Sequence, residues 1–402
     1  MFCLSCIPYG VVGSLGGPVM QYKTSSAGID VDVVSWYQAL LFIPPMVQFV
    51  YAPIVDVGPK RKHWLLIVSA ISAACVVAAM MMPLPEHTGA FLGFALAAQL
   101  VSGLVSACNG GLMAVTLPDS QRGQAGAWYN IGNSTGNALG LALAIWLTGA
   151  DVAPEWIGVA LGALTFLPAL AILAVDEPPR DNIARIRDVF GTVFHDVGVV
   201  VKSRSGVTGI LLCLSPVGTA ALINAFSGPI AKDFQASDGL NGFINGPATA
   251  LLSAVGAGVC GWLCMRHNRR GMYLASGVMT ALVAVAMAVS PLTSTTFAWG
   301  GMLYQLVAGF CYAAFTATVL ETIGTAGKAA STQFSLFLAS GNAAIAYTQL
   351  IDGNMHRPFG VRGMLGTDAA LNLFGVVALG LVFWRLHMLR KFAQSRPTTS
   401  TH

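Results

Sequence analysis

The chain has 402 residues, of which 55% are hydrophobic and only 9% are charged. A soluble domain needs about a quarter of its residues charged to cover its surface. This composition therefore excludes a water-soluble globular protein and predicts one whose main solvent is lipid. The formal net charge of +4 gives no indication of a nucleic-acid partner.

Twelve apolar stretches are long enough to cross a membrane as helices. About 20 apolar residues span a hydrocarbon core of roughly 30 Å. The sequence thus predicts an all-α integral membrane protein with twelve transmembrane helices. The predicted spans are 2–22, 33–55, 64–83, 91–116, 124–148, 156–175, 206–230, 240–263, 271–290, 297–320, 329–350 and 368–388.

A polar linker at residues 176–205 divides the spans six and six, while the other connections are short. We predict an N-terminal six-helix bundle at 1–175, this linker, a C-terminal six-helix bundle at 206–390 and a tail at 391–402. Part of the linker, about 182–200, has the apolar spacing of an amphipathic helix on the membrane surface.

Lysine and arginine residues fall mainly on one side of the predicted membrane. Lys23, Lys232, Arg357 and Arg362 lie in the connections of one side. The other 17 of the 21 lie in the alternate connections and in the tail. Because cytoplasmic loops are enriched in these residues, we predict that the linker, the tail and both termini are cytoplasmic.

Two short connections, one in each half, have similar basic sequences. The loop after the second span contains Asp56 followed by Arg61 and Lys62, and the loop after the eighth span contains Cys264 followed by Arg269. Placing Asp56 over Cys264 brings Arg61 onto Arg269. A repeated basic hairpin in an apolar chain predicts a duplicated membrane bundle.

Amide side chains are concentrated in eight of the twelve spans. Spans three, six, nine and twelve contain few polar side chains, of which Thr165, Ser276, Thr280 and Asn372 are typical. An amide that faces lipid costs several kcal/mol unless it finds a partner. We therefore predict that eight helices surround a central cavity and that four lie outside. The candidate binding residues are Gln38, Gln99, Asn130, Asn133, Asn137, Asn224, Asn245, Tyr304, Gln305 and Asn342.

Span five has the clearest pattern. Asn130, Asn133 and Asn137 are spaced i, i+3 and i+7, which puts them on one helical face. The functional interpretation is a polar stripe on the cavity wall, and the alternative is that these asparagines only bridge helices. A ladder of glycines four residues apart allows a neighbouring helix to approach closely, at Gly132, Gly136 and Gly140.

Other polar and sulfur-containing groups give weaker indications. Tyr304 and Tyr312 in span ten either stack on a ligand or pack in the core. The pair Cys3 and Cys6 has the spacing of a redox or metal motif, but no second pair accompanies it, so we expect packing cysteines. We predict no metal site, cofactor or catalytic residue.

The chain resembles the major facilitator superfamily. That family has two six-helix bundles around a cavity and, after its second helix, a loop of the form Gly-x-x-x-Asp-Arg-x-Gly-Arg-Arg. Here Asp56 with Arg61 matches that loop, and residues 261–270 form a partial copy. Ala52 or Pro53 stands in place of the glycine, and Val57 in place of the first arginine.

Within the superfamily, residues 51–56 resemble an aromatic-Ala-Pro-x-x-Asp element of a narrower group. That group contains AmpG-type muropeptide permeases, acetyl-CoA transporters and siderophore-uptake permeases related to rhizobactin and pyochelin transport. Residues 122–133 are similar to the fifth helix of these bacterial proteins. The resemblance implies a monomeric permease of the bacterial inner membrane.

The resemblance also implies that Asp56 is a gating residue whose carboxylate meets the start of span eleven, near 328–331. Arg61, Arg122 and Arg269 are the other candidate gating residues. The alternative is that Asp56 is a solvated loop charge that only helps to set the topology.

The resulting functional prediction is a transporter that imports a medium-sized polar metabolite, such as a siderophore or muropeptide, by alternating access. No charged residue falls near the middle of a predicted span, so proton coupling rests on the resemblance alone. A proton-independent facilitator and an exporter of acetyl-CoA or drugs remain alternatives within the fold. A non-transporting membrane receptor is the alternative from another class, and no pattern supports an enzyme.

Overall fold

The computed structural model describes residues 1–27, 29, 31–178, 198, 204–226, 230–323 and 330–394, and their regular secondary structure is helical. The linker helix predicted at about 182–200 lies outside the described residues, apart from residue 198. In the first half the helices are α1 (Phe2–Gly16), α2 (Pro18–Ser26), α3 (Val31–Tyr51), α4 (Arg61–Met81), α5 (Thr88–Thr116), α6 (Arg122–Gly149) and α7 (Pro154–Phe166). Short 3₁₀ helices at Ala52–Asp56, Asp119–Gln121 and Leu167–Ala174 continue or connect them.

The second half contains α8 (Arg204–Leu214), α9 (Ile223–Ala225), α10 (Ala231–Asp233), α11 (Asp238–Phe243), α12 (Thr249–Arg266), α13 (Arg269–Val289) and α14 (Ser294–Ile323). A π-helical turn at Ile244–Ala248 joins α11 to α12. Gly360, with a φ of +61°, interrupts the helical run Ala330–Gln394. We divide this run at residue 357 into two apolar helices, α15 (Ala330–His356) and α16 (Pro358–Arg385), so that Gly360 lies in the first turn of α16.

Several helix starts follow directly from the sequence. Pro154 occupies the first position of α7, where a missing N–H costs nothing. Asn268 precedes α13, and its side chain accepts a hydrogen bond of 2.9 Å from the N–H of Arg270. In the described residues, eight helices are long and apolar enough to cross a membrane, and Phe2–Gly16 and Leu40–Asp56 are shorter apolar helices.

The structure differs from the sequence prediction between spans eleven and twelve. Residues 351–367 were expected to be a loop because they contain charged and polar side chains. They are helical except at the kink, so that α15 extends to His356 and α16 begins at Pro358. Asp352 and Asp368 therefore lie inside helices, and both are fully buried. The expectation that no charged residue lies near the middle of a span is wrong for Asp368, which lies ten residues inside α16. Burial against protein makes a charged residue compatible with a span.

The seventh span is interrupted. Regular helix stops at Leu214 and resumes at Ile223, and Pro216 lies in the irregular segment between them. Gly218 has a φ of +61°, and a Cβ on it would lie 2.5 Å from the Ser276 hydroxyl oxygen, so glycine is required for both backbone and packing reasons. Non-helical backbone at membrane depth is tolerated where protein buries it or where it lines a cavity.

The four spans predicted to face lipid have the expected burial pattern. Large apolar side chains such as Ile71, Leu173, Leu282 and Phe374 are exposed on α4, on the 3₁₀ extension of α7, on α13 and on α16. The typical polar residues of these spans are all buried instead, namely Thr165, Ser276, Thr280 and Asn372. Their polar groups thus face protein.

The two halves pack along two lines of contact. On one line α6 packs against α12 and α14, and on the other α15 packs against α3 and α5. A Cβ on Gly126 would lie 2.9 Å from the carbonyl oxygen of Ala313, and one on Gly123 would lie 2.7 Å from the Cβ of Cys264. Gly132 and Gly136 of the glycine ladder do not contact the other half. They pack against α1 within the same half.

Candidate functional site

The Asp56 carboxylate joins the halves at one end of the bundle, which we call the basic end and define by Lys60, Arg61, Arg122 and Arg269. Asp56 ends a 3₁₀ helix and is 6% exposed. Its Oδ2 accepts hydrogen bonds from the backbone N–H of Thr332 at 3.0 Å and from the Thr332 hydroxyl at 2.9 Å. Thr332 lies in the first turn of α15, where unpaired N–H groups and the helix dipole favour an anion. The expected meeting of Asp56 with the start of span eleven is confirmed.

Arg61 binds both Asp56 and Ser331, the residue before Thr332. Its Nη2 and Nε donate to Asp56 Oδ1 at 2.7 Å and 3.0 Å, and Nε also lies 2.8 Å from Ser331 Oγ. The guanidinium is buried, with Arg61 only 3% exposed. Removing one member of a buried pair leaves an uncompensated charge, which typically costs about 3–5 kcal/mol. The interpretation of Asp56 as a solvated loop charge does not fit this burial.

Glu177 is a third member that sequence reasoning missed. Its two carboxylate oxygens accept the backbone N–H groups of Arg61 at 3.0 Å and Lys62 at 3.2 Å, and Glu177 is 5% exposed. It therefore caps the first turn of α4 from the start of the linker. No local pattern indicates this contact, because its partners lie more than a hundred residues earlier in the chain.

The other candidate gating arginines bind elsewhere at the basic end. Arg122 is 1% exposed and donates to the carbonyl oxygens of Ala114 at 3.2 Å and Leu320 at 3.4 Å, near the ends of α5 and α14. It therefore joins the halves through helix ends. Arg269 lies 3.8 Å from Glu321 in a partly exposed pair within the second half, and such pairs contribute little.

The repeat of the basic loop has a different chemistry at its key position. Cys264, which aligns with Asp56, packs against Gly123 beside the start of α6. Asp56 packs in the same manner beside the start of α15. The pseudo-symmetric contact therefore has a carboxylate on one line and a thiol on the other.

A cavity of about 320 Å³ lies between the halves. Residues from α1, α3, α6, α13, α14, α15 and the interrupted seventh span form its wall. Tyr273 of α13 thus reaches the cavity from span nine, which was predicted to lie outside. The lining residues include Tyr9, Phe42, Tyr129, Asn130, Asn133, Asn137, Ser215, Gly218, Thr219, Tyr273, Tyr312, Phe315, Thr316 and Asn342. None of the described lining residues is charged. The wall thus offers amides, hydroxyls and aromatic faces to a ligand.

The asparagine stripe of span five lines this cavity, as its spacing predicts. Asn130 also bridges the halves, since its Nδ2 donates to the Tyr312 carbonyl oxygen and to Thr316 Oγ1, each at 3.0 Å. Both interpretations therefore hold for Asn130. Asn133 and Asn137 make no hydrogen bond with any residue in the described part of the chain, which leaves their amides available to a ligand.

The remaining candidate binding residues have varied positions. Asn342 lines the cavity and donates to the Pro45 carbonyl oxygen at 3.1 Å. Gln99 lies between α5 and α1, where its Nε2 donates to the Val12 carbonyl oxygen at 3.0 Å. Asn245 donates to Asn241 within the π-helical region.

Tyr304 and Gln305 are not among the lining residues either. Both are buried, and Tyr304 packs in a hydrophobic cluster of the second half with its hydroxyl on Asp368. The side chains of Gln38 and Asn224 lie outside those that the structure describes. The amide content of a span thus indicates that its side chain faces protein, but not which protein surface it faces.

The aromatic part of the wall was missed by sequence reasoning. Tyr9, Tyr129 and Tyr273 line the cavity together with Phe42 and Phe315. Aromatic residues in apolar spans are equally typical of lipid-facing and core positions, so of the lining aromatic residues the sequence indicated only Tyr312. The irregular segment of the seventh span contributes Ser215, Gly218 and Thr219 to the wall. In the sequence, Pro216 is the residue that indicates this break in the helix.

No group of three or more His, Cys, Asp or Glu side chains suited to a metal ion occurs among the residues that the structure describes. All eight cysteines are free, and most are buried.

Comparison with known proteins identifies the family. Residues 2–346 match the family description Major Facilitator Superfamily. The chain belongs to the major facilitator superfamily. The members of this superfamily are transporters rather than enzymes. A search of curated protein sequences gave no match.

Solved structures of other superfamily members share the fold. The human organic anion transporter MFSD10 (TETRAN) is similar with a TM-score of 0.70 and 17% identity, over 94% of this chain and 97% of that one. The E. coli fucose:proton symporter FucP in its outward conformation has a TM-score of 0.70 and 13% identity, over 94% and 97%. The proton:xylose symporter XylE has a TM-score of 0.70 and 10% identity, over 94% and 92%. At these identities the likeness shows the fold alone.

Proposed function

We propose that this superfamily member is a secondary transporter that imports a neutral polar metabolite together with protons, by alternating access. The observation that carries the proposal is the uncharged cavity between the halves, lined from both of them. A charged ligand would need a countercharge in such a water-poor site, because an unpaired buried charge is very costly. A neutral ligand needs only hydrogen bonds and apolar contact, which asparagines and aromatic rings supply.

The contacts at the basic end support alternating access. Asp56 and Arg61 from the first half bind Thr332 and Ser331 of the second half, so these bonds must break before the halves separate at that end. Their geometry suits a gate that closes reversibly, because each partner belongs to a different bundle of the proposed domain division at 1–175 and 206–390.

The resemblance to AmpG-type and siderophore-uptake permeases favours a muropeptide or siderophore as the substrate. The cavity volume of about 320 Å³ is at the low end of the range for small-molecule sites, roughly 300–1,000 Å³. It favours a compact ligand with hydroxyl or amide groups and an apolar ring face. A neutral sugar is therefore a second candidate, in agreement with the names of the fucose and xylose symporters. Acetyl-CoA is disfavoured because its phosphates would find no cation among the described lining residues.

We further propose that the protein lies in the bacterial inner membrane as a monomer, with both termini cytoplasmic. The experiment that tests the function is uptake into proteoliposomes of a labelled ferric siderophore, an anhydromuropeptide, acetyl-CoA and a neutral monosaccharide. Each is measured with and without an inward proton gradient.

Accumulation of one neutral compound only under the gradient supports the proposal. Equilibration without accumulation identifies a facilitator. Uptake of acetyl-CoA alone contradicts the neutral-ligand assignment. Saturable binding of a panel compound without uptake supports the receptor alternative.

A further inference from the structure

Two buried carboxylates lie in the second half, behind the cavity wall. Asp352 on α15 and Asp368 on α16 are both fully buried. At 1.5 Å per residue, Asp352 is about 6 Å from the helix end at His356, and Asp368 about 15 Å from the start of α16 at Pro358. Both thus lie nearer the end of the bundle opposite the basic end. Both lie beside the irregular segment of the seventh span. Gln349, one turn before Asp352 on α15, donates to the Ala221 carbonyl oxygen at 3.1 Å, and the Tyr304 hydroxyl that bonds Asp368 also accepts the Leu222 N–H.

The two groups differ in their partners. Asp368 Oδ2 accepts a hydrogen bond of 3.3 Å from the Tyr304 hydroxyl, and its Oδ1 lies 3.3 Å from Asn372 Nδ2. Both oxygens of Asp352 are buried without a hydrogen-bond partner among the described residues. A charged carboxylate in that position would have no hydrogen-bond donor among the described residues, and such a buried group takes up a proton rather than remain ionised.

We infer that the Asp352–Asp368 pair is the site at which this protein binds the coupling proton. This inference rests on the proposed proton-coupled transport and assigns its proton site. The proton comes from water at the end opposite the basic end and binds a carboxylate oxygen, and it leaves as a proton once the halves have opened at the basic end. A metal cation does not suit the pair, since no third acidic, His or Cys side chain joins it among the described residues.

Asp368 is connected to the cavity wall through both ends of the interrupted seventh span. Asn372, which bonds Asp368, accepts the Gly218 N–H with its Oδ1 at 2.8 Å, and Gly218 lines the cavity. Tyr304, which donates to Asp368, accepts the Leu222 N–H at 3.3 Å. Protonation of Asp368 turns one of its hydrogen-bond acceptor oxygens into a donor. The hydrogen bonds that Tyr304 and Asn372 make with Asp368 must then rearrange. The irregular segment between Gly218 and Leu222 therefore links proton binding to the shape of the ligand site.

In the described part of the chain, none of the titratable groups around Asp352 and Asp368 is a cation in contact with them. The titratable groups of α14 on this side are Tyr304, whose hydroxyl bonds Asp368, and Cys311. One turn beyond Asp352, His356 is held by Asp233 at 2.7 Å. Arg362 and Lys232 are exposed towards solvent at that end. The irregular segment of the seventh span contributes only uncharged residues.

Infrared difference spectroscopy of the purified full chain in proteoliposomes tests the inference without any substrate. The sample is titrated from mildly acidic to mildly alkaline pH, and the carboxylic-acid carbonyl band is followed. We expect a band that titrates in the wild type and is lost in Asp352→Asn, which removes no hydrogen bond seen in the structure. Asp368→Asn should shift or remove it as well. The matched control is Asp151→Asn, an exposed loop carboxylate, which should leave the band unchanged.

A titrating band that persists in both buried variants would overturn the inference, whatever the transport assays give. A band that disappears on replacing choline chloride by sodium chloride at constant pH would also overturn it, in favour of a sodium site. If the band behaves as expected and a panel compound is transported, Asp352→Asn should lose accumulation at least tenfold and retain counterflow of that compound. If the band behaves as expected but nothing is transported, the proton site stands and the proposed substrate class fails.

Discussion

Thr332 donates both its backbone N–H and its hydroxyl to the same oxygen of Asp56, at 3.0 Å and 2.9 Å. The two residues are 276 positions apart and belong to different halves. A single carboxylate oxygen of the first half is therefore held by the start of a helix in the second half. This contact exists only while the basic end is closed, which makes it a measure of the closed state.

Loss of the Thr332 hydroxyl should weaken closure of the basic end. In Thr332→Val the N–H bond to Asp56 remains, while the hydroxyl bond to a charged acceptor, typically about 1.5–3 kcal/mol, is lost. The open population should rise about tenfold or more. Cys264 is buried between the halves at this end. The rate at which a permeant maleimide labels Cys264 therefore measures the open population. Thr322→Val is the control because its hydroxyl bonds only within its own helix, and faster Cys264 labelling in that variant as well would contradict the assignment.

Neutralising Asp56 should have a larger effect. Asp56→Asn leaves the buried Arg61 guanidinium with a reduced countercharge, at a cost of about 3–5 kcal/mol. We expect uptake of the transported panel compound to fall at least tenfold, with normal membrane insertion and faster Cys264 labelling. Glu86→Gln, an exposed carboxylate-to-amide change near the opposite end, should transport like the wild type. Wild-type uptake by Asp56→Asn would remove Asp56 from the gate.

Two asparagines one helical turn apart should separate ligand binding from helix bridging. Asn133→Leu removes an amide without a protein partner in the described residues, so ligand affinity should fall about tenfold with no loss of thermal stability. Asn130→Leu breaks bonds to Tyr312 and Thr316. It should therefore lower the melting temperature in detergent as well as uptake. Equal effects of both substitutions on melting temperature would mean that the stripe is structural throughout.

The two glycine contacts of α6 should respond differently to an added methyl group. In Gly136→Ala the new Cβ overlaps the Ile7 carbonyl oxygen within the first half, so folding should suffer. In Gly126→Ala it meets Ala313 and Ala317 across the halves at 2.9 Å. The halves should then separate at the basic end, with faster Cys264 labelling and little loss of folded protein. Gly149→Ala, which has open space around it, serves as the control in melting and labelling measurements. Labelling at the wild-type rate in Gly126→Ala would count against close packing across the halves there.

The sequence predicted those features that depend on local spacing or on a short motif. The asparagine stripe follows from the helical repeat, and the position of Asp56 follows from a loop motif. Glu177 could not be predicted, because its contact with the N–H groups of Arg61 and Lys62 forms only after the chain has folded back. Asp352 was assigned to a loop and Asp368 to the first position of span twelve, because a hydropathy window ends a span at a charge. That rule fails wherever neighbouring helices cover the charge.

The cavity wall shows a further limit. The sequence of span ten does not distinguish whether Tyr304 or Tyr312 faces the cavity. In the structure only Tyr312 of these two lines the wall. The rotation of a helix about its own axis decides which of two residues eight positions apart points inwards. That rotation is set by packing against other helices, which no single span encodes.

The difference between Asp56 and Cys264 at equivalent positions gives the two contact lines forces of different range. The Asp56 carboxylate attracts the partial positive charge at the start of α15, and this attraction falls only as the inverse of distance. A gap of about 0.5–1 Å, by contrast, already removes a quarter to a half of a dispersion contact. As the halves approach, Asp56 attracts the start of α15 while the two surfaces are still apart. The contact between Gly123 and Cys264 stabilises the closed state only once the surfaces are within about 1 Å of their final positions. Closure of the basic end should therefore begin at the Asp56 side and finish at the Cys264 side, and opening should follow the reverse order.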